Sequence, residues 1–148
     1  MLTIEISALC AGNGFEVAER IGALFDVLVE AQQLQSWPSD AALIALLPGW
    51  FVAACAPEST PAEEERYLRW WRELSAERKA EEARSAPWSL SEWLHWIHPE
   101  QRPWTRSLVK PDGPDSIRVI LSVDGSPSPH GAVDWMLRAA GAHEVIEL

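Results

Sequence analysis

Apolar and polar residues alternate at the start of the chain. Leu2, Ile4 and Ile6 stand at every second position, with polar residues between them. A period of two is typical of a strand with one buried face. The same alternation recurs over residues 116–123. Residues 104–110 form a second candidate strand, and the Pro-Asp-Gly-Pro turn at 111–114 predicts a hairpin between the two.

Helical periodicity dominates the rest of the chain. The expected helices run from a cap at Asn13 to about residue 35, then over 40–47, 48–56, 62–84, 90–98 and 130–140, and a short last strand covers 145–148. In the first helix, Asn13 and Glu16 have the spacing of a capping box. Its predicted inward stripe consists of Phe15, Ala18, Ile21, Gly22, Phe25, Leu28 and Val29.

The segment 62–84 is expected to be one long charged helix. Tyr67, Trp70, Trp71 and Leu74 form its apolar stripe, and only alanines follow among charged residues, so the second half should project into solvent or end early. In the next helix, Ser89 and Glu92 have the spacing of a second capping box. Trp88 and Trp93 occupy the positions of a hydrophobic staple around it.

These elements predict an α+β fold. A sheet of about four strands, built from the N-terminal strand, the 104–123 hairpin and the C-terminal strand, would be covered on one face by four to six helices. The last part of the chain has the order of a β-α-β unit. The length of 148 residues favours a single domain spanning 1–148, with a proline-rich break near 57–61.

Composition narrows the function classes. The net charge of −10 disfavours nucleic acid and anionic membranes as partners, and no apolar run is long enough for a spanning helix. The N-terminal residues lack the basic and apolar regions of a signal peptide, and two cysteines are too few for a disulfide framework. A cytoplasmic protein with free thiols is the expectation.

The chain contains nine tryptophans, and four of them fall within 88–104 beside His95 and His98. An exposed pair of Trp96 and Trp104, flanked by Glu92, His95 and Glu100, would form a docking patch for a protein partner. In the alternative, both indoles close the edge of the core over the hairpin. Glu92, His95 and His98 also have a spacing that could offer metal ligands, but no fourth ligand is near, and no metal or cofactor is expected.

A second candidate site lies at the end of the most regular strand. Asp124, His130 and Asp134 gather there, where open α/β arrangements place their ligands. Ordinary turn and cap chemistry would also explain the three residues, since Asp124 begins a turn and Asp134 falls in the first turn of a helix.

Cys10-Ala11-Gly12-Asn13, between a strand and a helix, resembles the start of the phosphate-binding loop in low-molecular-weight tyrosine phosphatases. That family's loop requires an arginine to hold the phosphate and to lower the thiol pKa, which the resemblance would imply for Cys10. This chain has Glu16 at the arginine position. A structural turn with a buried cysteine is therefore the expectation.

The chain has no complete catalytic or cofactor motif. Our leading hypothesis is a non-enzymatic module that binds a basic protein through acidic residues and tryptophan anchors. Bacterial immunity proteins, which neutralise toxic enzymes, are similar in size and charge, an analogy of class alone. The alternatives are a small-molecule-binding or catalytic site at the loop 124–134, and a homo-oligomer with tryptophans between subunits.

Overall fold

A computed structural model of the chain describes residues 2–125 and 128–148. Its strands are β1 (Leu2–Leu9), β2 (Trp104–Pro111), β3 (Ser116–Val123) and β4 (Glu144–Glu147). Its helices are α1 (Gly14–Gln32), α2 (Asp40–Leu46), α3 (Gly49–Ala54), α4 (Pro61–Arg72), α5 (Ala76–Ser85), α6 (Leu90–Ile97) and α7 (Gly131–Ala140). The expected α+β class is confirmed. The predicted loop 124–129 includes Ser126 and Pro127, which lie outside the described residues.

The four strands form one antiparallel sheet in the order β2-β3-β1-β4. Strands β3 and β4, joined by α7, run parallel with β1 between them, so the predicted β-α-β unit is a split one. Strands β1 and β2 likewise run parallel to each other, with β3 between them. The connectivity is that of the ferredoxin-like β-α-β-β-α-β motif, with helices α2 to α6 inserted between α1 and β2.

The core lies between one face of the sheet and the helices. Every second residue of β3 is buried, from Ile117 to Val123, and Ile6 and Ala8 of β1 lie on the same face. Helices α1 and α7 pack on this face, and α3 and α6 pack on α7. On the opposite face, Arg118 and Glu5 form an ion pair at 3.4 Å. The alternation in the strands therefore separates a buried face from a solvated one.

The N-terminus of α1 differs from its prediction. Asn13 occupies the cap position, but its side chain makes no capping hydrogen bond, and Nδ2 donates to the carbonyl oxygen of Gly141 instead. The predicted capping box with Glu16 is wrong. Arg20 of α1 donates to the carbonyl oxygen of Ala140, so two contacts join the start of α1 to the end of α7. A cation at a helix C-terminus is favoured by the helix dipole.

The buried stripe of α1 is also shifted from the predicted one. It consists of Gly14, Val17, Ile21, Leu24, Phe25, Leu28 and Ala31. Phe15, predicted to be inside, is 62% exposed, and Val29 is exposed as well. Apolar residues occur on two sides of this helix, so periodicity alone does not decide which side faces the sheet.

The predicted long helix over 62–84 is two helices. Helix α4 ends at Arg72, and Ser75 caps α5 by accepting a hydrogen bond from the backbone N–H of Arg78. Ser89 caps α6 in the same way, accepting from Glu92, which is one half of the predicted capping box. Of the predicted staple, Trp93 packs on Phe51 with ring centroids 4.6 Å apart, and Trp88 lies against Gly131.

Within the described residues, no helix has both the length and the apolar character needed to span a membrane.

Candidate functional site

Helices α4 and α5, with the turn between them, stand apart from the core. We call residues 61–85 the arm. Neither helix of the arm contains a buried residue. The segments that flank the arm meet where the backbone N–H of Ala56 donates to the carbonyl oxygen of Trp88 at 2.8 Å, beside a parallel bridge between Ala56 and Ser89. The arm is therefore a two-helix insertion whose flanking segments are hydrogen-bonded to each other.

Local interactions account for helix formation in the arm. Thr60 and Glu63 form a complete capping box, and Pro61 occupies the first turn, where a missing N–H carries no cost. Glu65 and Arg69, four residues apart, form an exposed ion pair. Acidic residues in the first turn of α4 and basic residues in the last match the helix dipole. Helix α4 thus has stabilising ends without a buried face.

Four aromatic side chains lie on the arm and on the exposed side of α6. We call Tyr67, Trp70, Trp71 and Trp96 the aromatic surface. Tyr67 lies 5.6 Å from Trp70 and 6.3 Å from Trp71 between ring centroids, and the second pair is stacked. Trp70 is 42% exposed and Trp96 is 43% exposed. None of the four residues in the predicted apolar stripe is buried: Tyr67, Trp70, Trp71 and Leu74.

Two carboxylates lie near Tyr67 of the aromatic surface. Partial burial raises the pKa of the Tyr67 hydroxyl, and the nearby carboxylates of Glu82 and Glu92 raise that pKa further. Glu92 belongs to α6, so its influence on Tyr67 brings the arm and α6 into one electrostatic environment. Burial likewise raises the pKa of the Glu92 carboxyl. A negative field at the aromatic rings would attract a cation.

Most residues of the predicted docking patch are exposed, but Trp104 is buried. Glu92, His95 and Trp96 are exposed on α6, where the rings of His95 and Trp96 meet edge to face at 5.0 Å. Glu100 is exposed, and its backbone N–H donates to Nδ1 of His98.

Trp104 lies apart from this patch. It is only 4% exposed, and it packs edge to face on Phe25 with the guanidinium of Arg102 over its ring at 4.6 Å. The predicted pairing of Trp96 and Trp104 on one surface is wrong, because Trp104 begins β2 and faces α1. Trp96 is therefore the one member of the pair on the surface.

The second predicted site brings two of its three residues together. Nδ1 of His130 lies 2.8 Å from Oδ1 of Asp134, and Nε2 lies 3.4 Å from Oε2 of Glu147. The hydrogen bond to Asp134 raises the pKa of His130 most, and Glu147 raises it too, against the opposing effect of burial. Asp124 is exposed. No local pattern in the sequence pointed to Glu147, because its place beside His130 depends on the pairing of β1 with β4.

The loop at Cys10 is a structural turn. The backbone N–H of Gly12 donates to the carboxylate of Asp115, and the N–H of Gly14 donates to the carbonyl oxygen of Pro114. The backbone N–H of Gly12, which a bound phosphate would need as a donor, is thus already hydrogen-bonded to Asp115. Burial raises the pKa of the Cys10 thiol, and Asp115 raises it further. Both effects oppose a reactive thiolate.

The surface clefts in the described part of the chain include one on the arm and one beside α1. One, of about 110 Å³, lies between α4 and α5 and is lined by Trp70, Leu74, Arg78, Glu81, Glu82 and Ser85. The other, of about 300 Å³, lies beside α1 and Trp50. Among the described residues, no group of three or more His, Cys, Asp or Glu side chains could hold a metal ion.

No protein-family model, curated protein or solved structure matches the chain.

Proposed function

We propose that this protein is a non-enzymatic binding module, inhibitor-like in its mode of action, that attaches to a basic protein through the aromatic surface. The observation that carries the proposal is the arm: its helices contain no buried residue, yet they carry three of the chain's ten Trp and Tyr residues. Folding of the core does not account for aromatic residues at these positions.

Exposed aromatic residues of this kind are typical of binding hot spots. Tryptophan and tyrosine supply large contact areas with little conformational entropy to lose, and they dominate the energetics of many interfaces. Tyr67 packs against both Trp70 and Trp71, so the three side chains offer a continuous apolar area. Contiguous apolar patches on a monomer commonly mark interaction sites.

Charge supports a basic partner. The chain has a net charge of −10, and Glu82 and Glu92 act directly on the aromatic surface through Tyr67. Opposite charges would accelerate the encounter of the two proteins and disfavour acidic competitors. The indoles would then supply most of the affinity.

The loop 124–134 offers less support for a ligand or catalytic site. Both ring nitrogens of His130 already face carboxylates of the chain, Asp134 and Glu147, which leaves no imidazole atom free for a substrate. A histidine held in this way ties the start of α7 to β4. The contact accounts for its position without a ligand.

The proposal is tested by capture with matched variants. The immobilised protein is incubated with lysate at low and high salt, captured proteins are identified by mass spectrometry, and the purified candidate is titrated calorimetrically. A basic protein whose affinity falls about tenfold or more in Trp70→Ala and in Trp96→Ala supports the proposal.

The control is Phe15→Ala, which removes an aromatic residue of greater exposure from α1. Its affinity should match that of the unchanged protein. Equal losses in all three variants, or capture of proteins without a basic surface, would contradict the proposal. Self-association that the Trp70 variant abolishes would instead indicate a homo-oligomer.

A further inference from the structure

The cleft between α4 and α5 combines an indole with two carboxylates. Trp70 and Leu74 contribute from α4 and the intervening turn, and Glu81 and Glu82 contribute from α5. Its volume is about 110 Å³, which suits one side chain rather than a folded segment. Arg78 supplies a single positive charge against the two carboxylates. The cleft therefore has a negative net charge beside an aromatic ring.

Four of the eight other tryptophans in this chain are covered by arginines. Arg20 lies over Trp50 at 5.3 Å, and Arg138 lies over Trp135 at 5.1 Å. Arg102 lies over two rings, those of Trp37 and Trp104. Each guanidinium gains from the negative face of an indole, an attraction that strengthens as water is excluded.

Trp70 differs from these four tryptophans. Among the side chains that the structure describes, no arginine lies over its ring, although Arg78 lines the same cleft. The chain thus pairs an indole with one of its own arginines four times, and the cleft places the indole of Trp70 beside the carboxylates of Glu81 and Glu82 without such an arginine.

We propose that this cleft receives an arginine side chain of the basic partner. The inference rests on the proposed function and names the chemistry of its central contact. The planar guanidinium would stack on Trp70 while its N–H groups donate to the carboxylates of Glu81 and Glu82. A lysine ammonium fits less well, because it is more strongly hydrated and cannot pair in a bidentate manner.

Arg78 gives the proposal a second, opposite test. Its positive charge would repel the incoming guanidinium, so it weakens binding in the unchanged protein. Removal of Arg78 should strengthen binding of the cation, and removal of either carboxylate should weaken it. A purely apolar contact with Trp70 would produce neither effect.

The experiment uses the full chain and three short peptides, acetyl-Gly-Arg-Gly-amide and its lysine and citrulline counterparts. Citrulline keeps the shape of arginine without the charge. Binding is followed through the indole N–H signals in ¹H–¹⁵N spectra, and Trp70→Leu identifies the signal of Trp70. We expect the arginine peptide to shift that signal in a saturable and salt-sensitive manner, with binding about threefold to fivefold weaker for lysine and weaker still for citrulline.

Charge variants complete the test. Glu82→Gln should weaken the arginine peptide about threefold, and Arg78→Gln should strengthen it by a similar factor. Glu77→Gln, on α5 but outside the cleft, is the matched control and should leave binding unchanged. Equal shifts with arginine and citrulline, or a strongest shift at Trp96, would overturn the inference.

The outcome is separable from that of the proposed function. If the purified partner loses affinity with Trp96→Ala but not with Glu82→Gln, the binding module stands and the arginine cleft fails. If the arginine peptide binds as expected but no basic protein is captured, the chemistry of the cleft stands and the proposed function fails.

Discussion

Nδ1 of His130 lies 2.8 Å from Oδ1 of Asp134, one turn further along α7. The other ring nitrogen faces Glu147 of β4 at 3.4 Å. When protonated, this imidazole joins the start of α7 to the end of β4. The His130 side chain is 14% exposed and Asp134 is 30% exposed, so screening of this pair by salt is limited, whereas Glu147 is half exposed.

Protonation of His130 should make the stability of the fold depend on pH. Asp134 first and Glu147 second raise the pKa of His130 above that of the unfolded chain, about 6.5. The stabilisation is fully present below the unfolded value and is lost as pH rises through the folded one. His130→Gln should therefore lower the free energy of unfolding by about 1 to 2 kcal/mol at pH 6 and by less at pH 9. Urea titrations of both proteins at pH 6 and pH 9 measure this change in the free energy of unfolding.

The exposed His143 provides the control. His143→Gln should change the free energy of unfolding little at either pH. A His130→Gln variant that loses as much stability at pH 9 as at pH 6 would show that the imidazole acts through packing rather than charge.

Trp96 and Trp104 should differ sharply in their effect on stability. Trp104→Ala empties a buried site beside Phe25 and Arg102, and a loss of about 3 to 5 kcal/mol is expected. Trp96→Ala removes a side chain that is 43% exposed, and it should cost about 1 kcal/mol or less. Chemical denaturation of the two variants measures both values. Similar losses in the two would mean that Trp96 belongs to the core.

Two glycines of α1 should respond in opposite directions to alanine. A Cβ at Gly14 would lie 2.5 Å from the carbonyl oxygen of Gly113, in the turn between β2 and β3. Because that contact is with backbone, Gly14→Ala should destabilise the fold by about 1 to 3 kcal/mol.

A Cβ at Gly22 meets nothing within 4 Å. Gly22→Ala should stabilise the fold by about 0.5 to 1 kcal/mol, since alanine favours the helix and restricts the unfolded chain. Thermal unfolding of the two variants compares them directly. A stable Gly14→Ala variant would show that the turn can move away from α1.

The strands were the most predictable part of the fold. Alternation over 116–123 identified both the extent of β3 and its buried face, because a strand has only two faces. The order of the strands was not predictable, since it depends on long-range pairing that no local pattern records. Glu147 illustrates the same limit: its place beside His130 follows from the register of β4 against β1.

Helix faces were harder to predict than helix positions. In α1, Phe15 and Val29 belong to a plausible apolar stripe, yet the stripe through Val17 and Leu24 faces the sheet. In the arm, periodicity predicts the aromatic stripe but not what the stripe faces. It is exposed because the core closes without α4. The cap at Ser75, followed by Glu77 in the first turn of α5, was a local signal for the break between α4 and α5.

The arm should be removable without loss of the fold. The N–H of Ala56 and the carbonyl oxygen of Trp88 are hydrogen-bonded, so a flexible linker of about eight residues can replace residues 59–86. No residue of α4 or α5 is buried, and the hydrogen bond from Arg138 to the carbonyl of Ala86 is one contact that the excision removes. We expect cooperative unfolding, with a free energy lowered by about 1 to 2 kcal/mol at most.

The same excised protein should no longer capture the basic partner, because Tyr67, Trp70 and Trp71 leave with the arm. Circular dichroism and urea unfolding establish the fold before binding is measured. A folded protein without the arm that retains full affinity would place the binding surface elsewhere. An excised protein that fails to unfold cooperatively would mean that the arm stabilises the core, and its aromatic residues would then need no partner to explain them.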